Sequence, residues 1–347
     1  MPRALSLDLF LTSPGFETAL LAEAGRGHTV STGLVAMEPR PLTETDYVFA
    51  RQVLPEAIAV CEPSVERLAD AVATELIARA DQLEVPLTLH VFVGDVDHRE
   101  MPALSSRATL LERTLTERLR FRRRRLHRRL TIGPGGVLIQ VLLAEPSVAW
   151  LSVDTTGAPS PPIGAGWPVR FPAGRASVPI DRTAPSTAYL KLAEAFAWMD
   201  RPPRAGEVAV DLGASPGGWT HVAVQHGMRV ISVDRAPLAP ELMAHPSVAH
   251  TVRDAFRFHP PEPVDWLVCD VIAAPDRSLA LLSEWTASRR TRRLVLHLKF
   301  KGELDYGRAQ EPLAILAESG YGYRRVKHLY HDKNEVTVLA SLSPEGV

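Results

Sequence analysis

Four aspartates close apolar runs in the second half of this 347-residue chain: Asp211 ends VAVD, Asp234 ends RVISVD, Asp254 ends VAHTVRD and Asp270 ends VDWLVCD. Three glycines, Gly213, Gly217 and Gly218, follow the first of them. A glycine turn lets backbone approach a ligand with no Cβ in the way, and an acid about twenty residues further on can hold ribose hydroxyls. One acid at a strand end is commonly a turn residue capping the next helix. Four in succession behind a glycine loop point to an adenosine-type ligand. Read as Gly213-x-Ser215-x-Gly217, the same loop also matches a hydrolase nucleophile elbow. That chemistry takes an oxyanion donor from the N–H after the nucleophile, and Pro216 has no N–H to give. The G-x-G-x-x-G of dinucleotide binding is absent as well.

Such acids need a parallel sheet to carry them, and the sequence supplies its pattern. From Ala188 onward, the strand-like runs alternate with helix-like WTHVAVQHG, LAPELMA, SLALLSEWTAS and AQEPLAILAESG, two of them closed by Gly227 and Gly320. That alternation predicts βαβ units and an α/β, doubly wound sheet with its ligand beyond the C-terminal strand ends. YRRVKHLYH and EVTVLAS flank Asp332-Lys333-Asn334 and read as a closing antiparallel hairpin. His328 and His331, three apart on such a strand, would face opposite ways, which argues against a metal site. Cys269 should likewise face away from Asp270 into the core.

The first half mixes strand-like LTLHVFV and GVLIQVLLA with helix-like SVERLADAVATELIARA. Leu111, Leu115, Leu119, Leu126 and Leu130 recur at helical spacing, so residues 109–130 read as one amphipathic helix. Its end, RLRFRRRRLHRRL, holds eight arginines in a chain of formal net charge −1. A charge run is usually a solvated face. Eight arginines with almost no acid between them exceed what solubility requires, and the guanidinium fork suits phosphate. Residues 155–185 are rich in Pro and Gly and read as a linker. The two cysteines, Cys61 and Cys269, lack metal-ligand spacing, and no apolar run is long enough to span a bilayer. A cytoplasmic protein, monomer or weak dimer, is expected.

DLGASPGGWT resembles the cofactor loop of FtsJ-like RNA 2′-O-methyltransferases, and LYHDKNEVTV (329–338) resembles the C-terminal signature of the THUMP-bearing RlmM family. APSTAYLKLAEAF (184–196), WLVCD (266–270) and LHLKF (296–300) fall in that family's order; SPGFETALLAEA (13–24) and YVFARQVLP (47–55) are weaker matches. The resemblance implies a Rossmann-like S-adenosylmethionine-dependent methyltransferase domain over 186–347. It also implies an α+β, ferredoxin-like subdomain over 1–60 and a THUMP-like RNA-binding region over 61–154. It implies S-adenosylmethionine as cofactor, with Asp211, Gly213, Ser215, Pro216, Gly217, Gly218, Trp219, Asp234, Asp254 and Asp270 around it. The substrate would be a cytidine ribose of large-subunit ribosomal RNA, with Arg122, Arg123, Arg124, Arg125, Arg128 and Arg129 on its phosphates and no metal.

The family's Lys-Asp-Lys-Glu tetrad maps onto Lys191, Asp270, Lys299 and Glu335. A ribose hydroxyl must lose its proton as it attacks a sulfonium methyl, and a neutral lysine can accept it. By resemblance Lys299 is the base, Lys191 and Glu335 position the hydroxyl, and Asp270 orients Lys299. A second ammonium and partial desolvation are expected to lower the lysine pKa. Three departures stand out. Ala188 replaces the usual Ser, with Ser186 and Thr187 as neighbouring hydroxyls; Ser215 replaces a common Cys; and FKGELDYG after Lys299 is less basic than usual. Asp270-Val-Ile-Ala-Ala lacks the Pro-Pro-aromatic signature of amino-group methyltransferases. A non-catalytic RNA-binding relative and a small-molecule methyltransferase are the competing classes.

Overall fold

The computed structural model describes residues 6–40, 47–94, 101–130, 136–154, 171–300 and 306–342. They form two compact units, Met1–Arg175 and Ala176–Val347. Most of the expected linker, residues 155–170, lies outside the described residues, as do 301–305 of the segment after Lys299.

In chain order the first unit contains β1 (Leu7–Leu11), α1 (Glu17–Ala24), β2 (His28–Ser31), β3 (Leu34–Met37), β4 (Gln52–Cys61), α2 (Val65–Ala80) and β5 (Leu87–Val93). It continues through α3 (Met101–Arg122), α4 (Arg124–Arg129), β6 (Val137–Glu145) and β7 (Val148–Val153). One seven-stranded sheet, ordered β2-β3-β1-β4-β7-β6-β5, runs through it. The expected boundary after residue 60 falls within β4. Its first half pairs with β1 and its second half, Ile58–Cys61, with β7. The two expected subdomains also share a core, in which Leu9, Leu34 and Leu54 pack with Phe92 and Leu142.

The long basic helix is broken. Arg123, at φ −149° and ψ 73°, separates α3 from α4. The break lets Leu119 and Leu126 both lie fully buried against the α2 side of the sheet, while the Arg123 fork closes on Asp81 at 3.1 and 2.7 Å. No described helix is long and apolar enough to cross a membrane.

The second unit contains α5 (Tyr189–Trp198), β8 (Val208–Leu212), α6 (Gly218–Gln225), β9 (Arg229–Asp234), α7 (Pro240–Met243), β10 (Val248–Val252) and β11 (Val264–Cys269). After these come α8 (Pro275–Ala287), β12 (Thr291–Lys299), α9 (Glu311–Glu318), β13 (Tyr323–Lys327) and β14 (Glu335–Ser341). The sheet order is β10-β9-β8-β11-β12-β14-β13. The first five strands are parallel, and β14 inserts antiparallel between β12 and β13. This is the expected Rossmann-like parallel sheet with a closing antiparallel hairpin. The apolar runs of β11 and β12 are buried because helices flank the sheet, α5 packing with α6 and α8 with α9. The hairpin turn is longer than expected: β13 stops at Lys327, so His328 and His331 lie in the connection, not on a strand. Their opposed-face argument against metal therefore falls away; His328 Nε2 contacts the Lys333 carbonyl and the His331 N–H donates to Glu194.

Candidate functional site

Register explains how four distant charges meet. Asp270 follows the end of β11, and Lys299 ends the parallel neighbour β12. Because β14 runs antiparallel to β12, its first residue, Glu335, pairs with Lys299 across the ladder. Lys191, on α5, closes the group from above the sheet with an ion pair to Glu335 Oε1. The Lys299 Nζ donates to Asp270 Oδ1 at 2.6 Å and to Glu335 Oε2 at 3.2 Å. Side-chain exposure is 14% for Lys191, 17% for Asp270, 13% for Lys299 and 7% for Glu335, so the cluster is mostly buried yet still reachable from solvent.

The electrostatics correct one expectation. Burial pulls Lys299 down, but the charges of Asp270 and Glu335 outweigh it and hold the amine above its ordinary value of 10.5. Carboxylates favour the ammonium form, so in this site Lys299 is a cation at neutral pH. Burial likewise pushes Asp270 up, but the His297 hydrogen bond and the charges of His297, Lys299 and Lys191 outweigh it. The carboxyl is held well below the usual range. Glu335, raised by burial, is brought down on balance by His297, Lys299 and Lys191.

Beside the tetrad lies a cavity of about 240 Å³, lined among others by Gly213, Asp234, Arg235, Asp254, Phe256, Val271 and Ile272. Asp234 points into it while accepting the Ser215 N–H at 3.0 Å and the Ala236 N–H at 2.9 Å. Asp254 accepts the Phe256 N–H at 3.0 Å and an Arg235 guanidinium hydrogen at 2.6 Å. Phe256, with Arg277 stacked 3.8 Å from its centroid, and exposed Ile272 supply apolar walls. Paired acids and apolar faces fit a nucleoside.

Other residues expected at the cofactor are placed differently. Asp211 is buried, accepts from Thr220 Oγ1 at 2.7 Å, and is pushed by burial up to about 7. Trp219 is buried too, its indole N–H on the Ala188 carbonyl at 3.0 Å and its ring edge-to-face with His297 at 4.8 Å. Ser215 turns its hydroxyl to the Pro237 carbonyl at 2.8 Å. The glycines are required by the protein's own packing. A Cβ on Gly213, at φ +79°, would sit 2.9 Å from Val271 Cγ2, and one on Gly218 would sit 2.4 Å from Ser186 Oγ. Pro216 and Gly217 complete the turn into α6, with Gly217 as its N-cap. Ser186 Oγ is buried beside this turn without a hydrogen bond, so a free hydroxyl does stand next to Ala188.

Three residues join the site that the sequence alone did not assign to it. His297 shares a face with Lys299, two positions on along β12, and its Nδ1 lies 2.9 Å from Asp270 Oδ1. Asp332, buried, faces the other ring nitrogen at 3.6 Å. Glu194, one turn beyond Lys191 and fully buried, accepts the N–H groups of Tyr330 and His331 at 3.0 and 2.9 Å, tying the hairpin connection to α5. The alternation in LHLKF and the i, i+3 spacing in KLAE were the available signals. Donor atoms of Asp270, His297 and Glu335 lie within 4.8 Å of one another, but the ammonium groups of Lys191 and Lys299 already serve these carboxylates.

In the first unit the arginines divide. Arg122 donates to the Asp70 carbonyl and Thr74 Oγ1 at 3.0 and 2.9 Å, Arg123 to Asp81, and Arg129 to the Ala80 and Asp81 carbonyls at 3.3 and 3.2 Å. These three, expected on phosphate, are committed to the neighbouring helix. Arg124, Arg125 and Arg128 are exposed and make no hydrogen bond or ion pair with another described residue.

The FtsJ-like methyltransferase family model matches residues 184–296. The chain is 34% identical over 302 residues to ribosomal RNA large subunit methyltransferase M of Marinomonas sp., covering 84% of this chain and 80% of that one. Against the protein of the same name from Alkalilimnicola ehrlichii it is 36% identical over 311 residues, covering 87% and 81%.

Proposed function

The chain belongs to the ribosomal RNA large subunit methyltransferase M family, and from that premise we propose that it moves the methyl group of S-adenosylmethionine to a ribose 2′-hydroxyl, that of a cytidine in large-subunit ribosomal RNA. It is an RNA methyltransferase with an FtsJ-like domain. The observation that carries the ribose assignment is the alternating cluster of two ammonium and two carboxylate groups beside a nucleoside-sized cavity. The cofactor supplies an electrophilic methyl on a sulfonium. The chain's part is to hold its ribose on Asp234, orient the substrate hydroxyl with Lys191 and Glu335, and accept the hydroxyl proton at Lys299 Nζ.

Since Lys299 is charged at rest, only its neutral fraction acts as base. The test is nucleoside mass spectrometry of ribosomal RNA from cells lacking the gene, before and after treatment with the purified enzyme. A 2′-O-methylcytidine that disappears and returns supports the assignment; a methyl restored on a base, or no change, overturns it.

RNA affinity is assigned to the first unit. Arg124, Arg125 and Arg128 offer free forks, and Phe121, 80% exposed beside them, offers a ring for stacking an unpaired base. Replacing the three free arginines by alanine should weaken binding to all RNA sequences alike and reduce the slope of log K against log salt by about 2, at roughly 0.7 per phosphate contact on single strands. Filter binding across a salt series measures this. An unchanged slope would leave the patch a solvated surface. The tethered arginines should behave otherwise, their loss lowering stability rather than slope.

A further inference from the structure

We propose that His297, held between Asp270 and Asp332, is a positioning residue that sets how firmly Asp270 grips the Lys299 ammonium. The inference rests on the reading of Lys299 as base. His297 is fully buried in β12, and its Nδ1 and the Lys299 Nζ converge on one oxygen, Asp270 Oδ1, at 2.9 and 2.6 Å. An ionised carboxylate only accepts, and Asp270 is held ionised, so Nδ1 carries the hydrogen. A second donor on an oxygen draws off charge that would otherwise bind the first. The imidazole therefore weakens the hold of Asp270 on the Lys299 proton, opposite in sign to the pull of the carboxylates themselves.

The ring cannot drift from this position. Trp219 of α6 packs edge-to-face against it at 4.8 Å, and the strand alternation points it at the tetrad. On its far side Nε2 faces Asp332 Oδ1 at 3.6 Å, and neither atom has a hydrogen bond. Asp332 is itself fixed, its other oxygen accepting the Leu329 N–H at 2.9 Å and the Thr337 hydroxyl at 2.8 Å. Burial pushes this carboxyl up to about 6. Two facing lone pairs would repel, so one proton lies between these atoms whichever of them carries it. The charged groups around the ring are thus Asp270 after β11, Asp332 in the hairpin connection, Glu335 on β14 with Oε1 at 4.0 Å from Nδ1, Lys299 on the same strand and Lys191 on α5. Asp332 thus holds the outer edge of the ring and fixes the orientation in which the inner N–H meets Asp270.

The experiment compares pH–rate profiles of the full-length wild type, His297→Phe and His297→Asn on ribosomal RNA. Phenylalanine keeps the ring against Trp219 and removes both nitrogens; asparagine returns a donor near the Nδ1 position. His297→Phe should move the rising limb about one unit to higher pH, equivalent to a tenfold lower rate at a fixed pH on that limb, with cofactor affinity within about twofold. His297→Asn should recover most of the shift. A His297→Phe profile lowered uniformly, with its limb unmoved, would reduce the residue to packing and overturn the proposal. If the wild-type rate itself does not rise with pH, the base assignment fails first. If it rises and the His297→Phe limb coincides with it, only the positioning role fails. Circular dichroism and thermal melting of each variant separate misfolding from either outcome, and if His297→Phe does not fold, His297→Leu, which also removes both nitrogens, carries the same comparison.

Discussion

Lys299→Arg is expected to lower methyl transfer by about a thousandfold, within the range that a positioned general base contributes. Arginine keeps the positive charge, so the pairs with Asp270 and Glu335 survive in kind. What it cannot do is give up its proton at working pH and take another. The substitution therefore isolates proton acceptance from electrostatics. Cofactor affinity, measured by calorimetry with S-adenosylhomocysteine, should stay within about threefold. An arginine enzyme with full activity would remove Lys299 from the role of base.

The wild-type pH dependence follows from the same site, with the sign fixed by the raised Lys299 value. Only neutral amine accepts a proton, and kcat/KM reports the free enzyme. Its rise should continue with no plateau below the ordinary lysine value of 10.5. The profile of kcat reports the loaded enzyme, where a sulfonium charge near the amine disfavours the ammonium form. It should break at lower pH. A kcat/KM plateau near neutrality would contradict the assignment of a carboxylate-held base.

Much of this site was legible because its carriers are apolar. A run such as VDWLVC in β11 can only be a covered strand, and an acid after it must stand at the sheet's C-terminal edge. Glu335 enters only through the family resemblance; it is the antiparallel pairing of β14 with β12 that sets it beside Lys299. The parts that escaped depend on partners distant in sequence. His297 inside an apolar strand reads equally well as core, since nothing local announces that Asp270 and Asp332 flank it. The glycines of the loop suggested ligand approach, whereas Val271 and Ser186, far along the chain in either direction, are what a Cβ would strike. The arginine stretch misled in the same way. Asp70 and Asp81, on a helix and its cap some fifty residues upstream, claim half of the expected phosphate contacts. Charge count is visible in a sequence; what each charge is tied to across a fold is not.

Asp234→Ala is expected to weaken S-adenosylhomocysteine binding by about a hundredfold, roughly 2.8 kcal/mol at 1.4 kcal/mol per factor of ten. Each Asp234 oxygen already accepts one backbone N–H, from Ala236 and from Ser215. A carboxylate oxygen offers two lone pairs, so one on each oxygen is left to receive the paired hydroxyls of a ribose. Hydrogen bonds to a charged group contribute about 1.5–3 kcal/mol each, and water entering the vacated space recovers part of two such bonds. Asparagine should not rescue, because its amide hydrogens would meet one of the two backbone N–H donors head-on. The contrast is Asp254→Ala. That carboxylate is engaged by the Phe256 N–H and by Arg235, and its loss should cost no more than about tenfold. Calorimetry on the three variants gives the order directly. Binding by Asp234→Ala within threefold of wild type, or a larger loss at Asp254 than at Asp234, would mean that the ribose is held elsewhere.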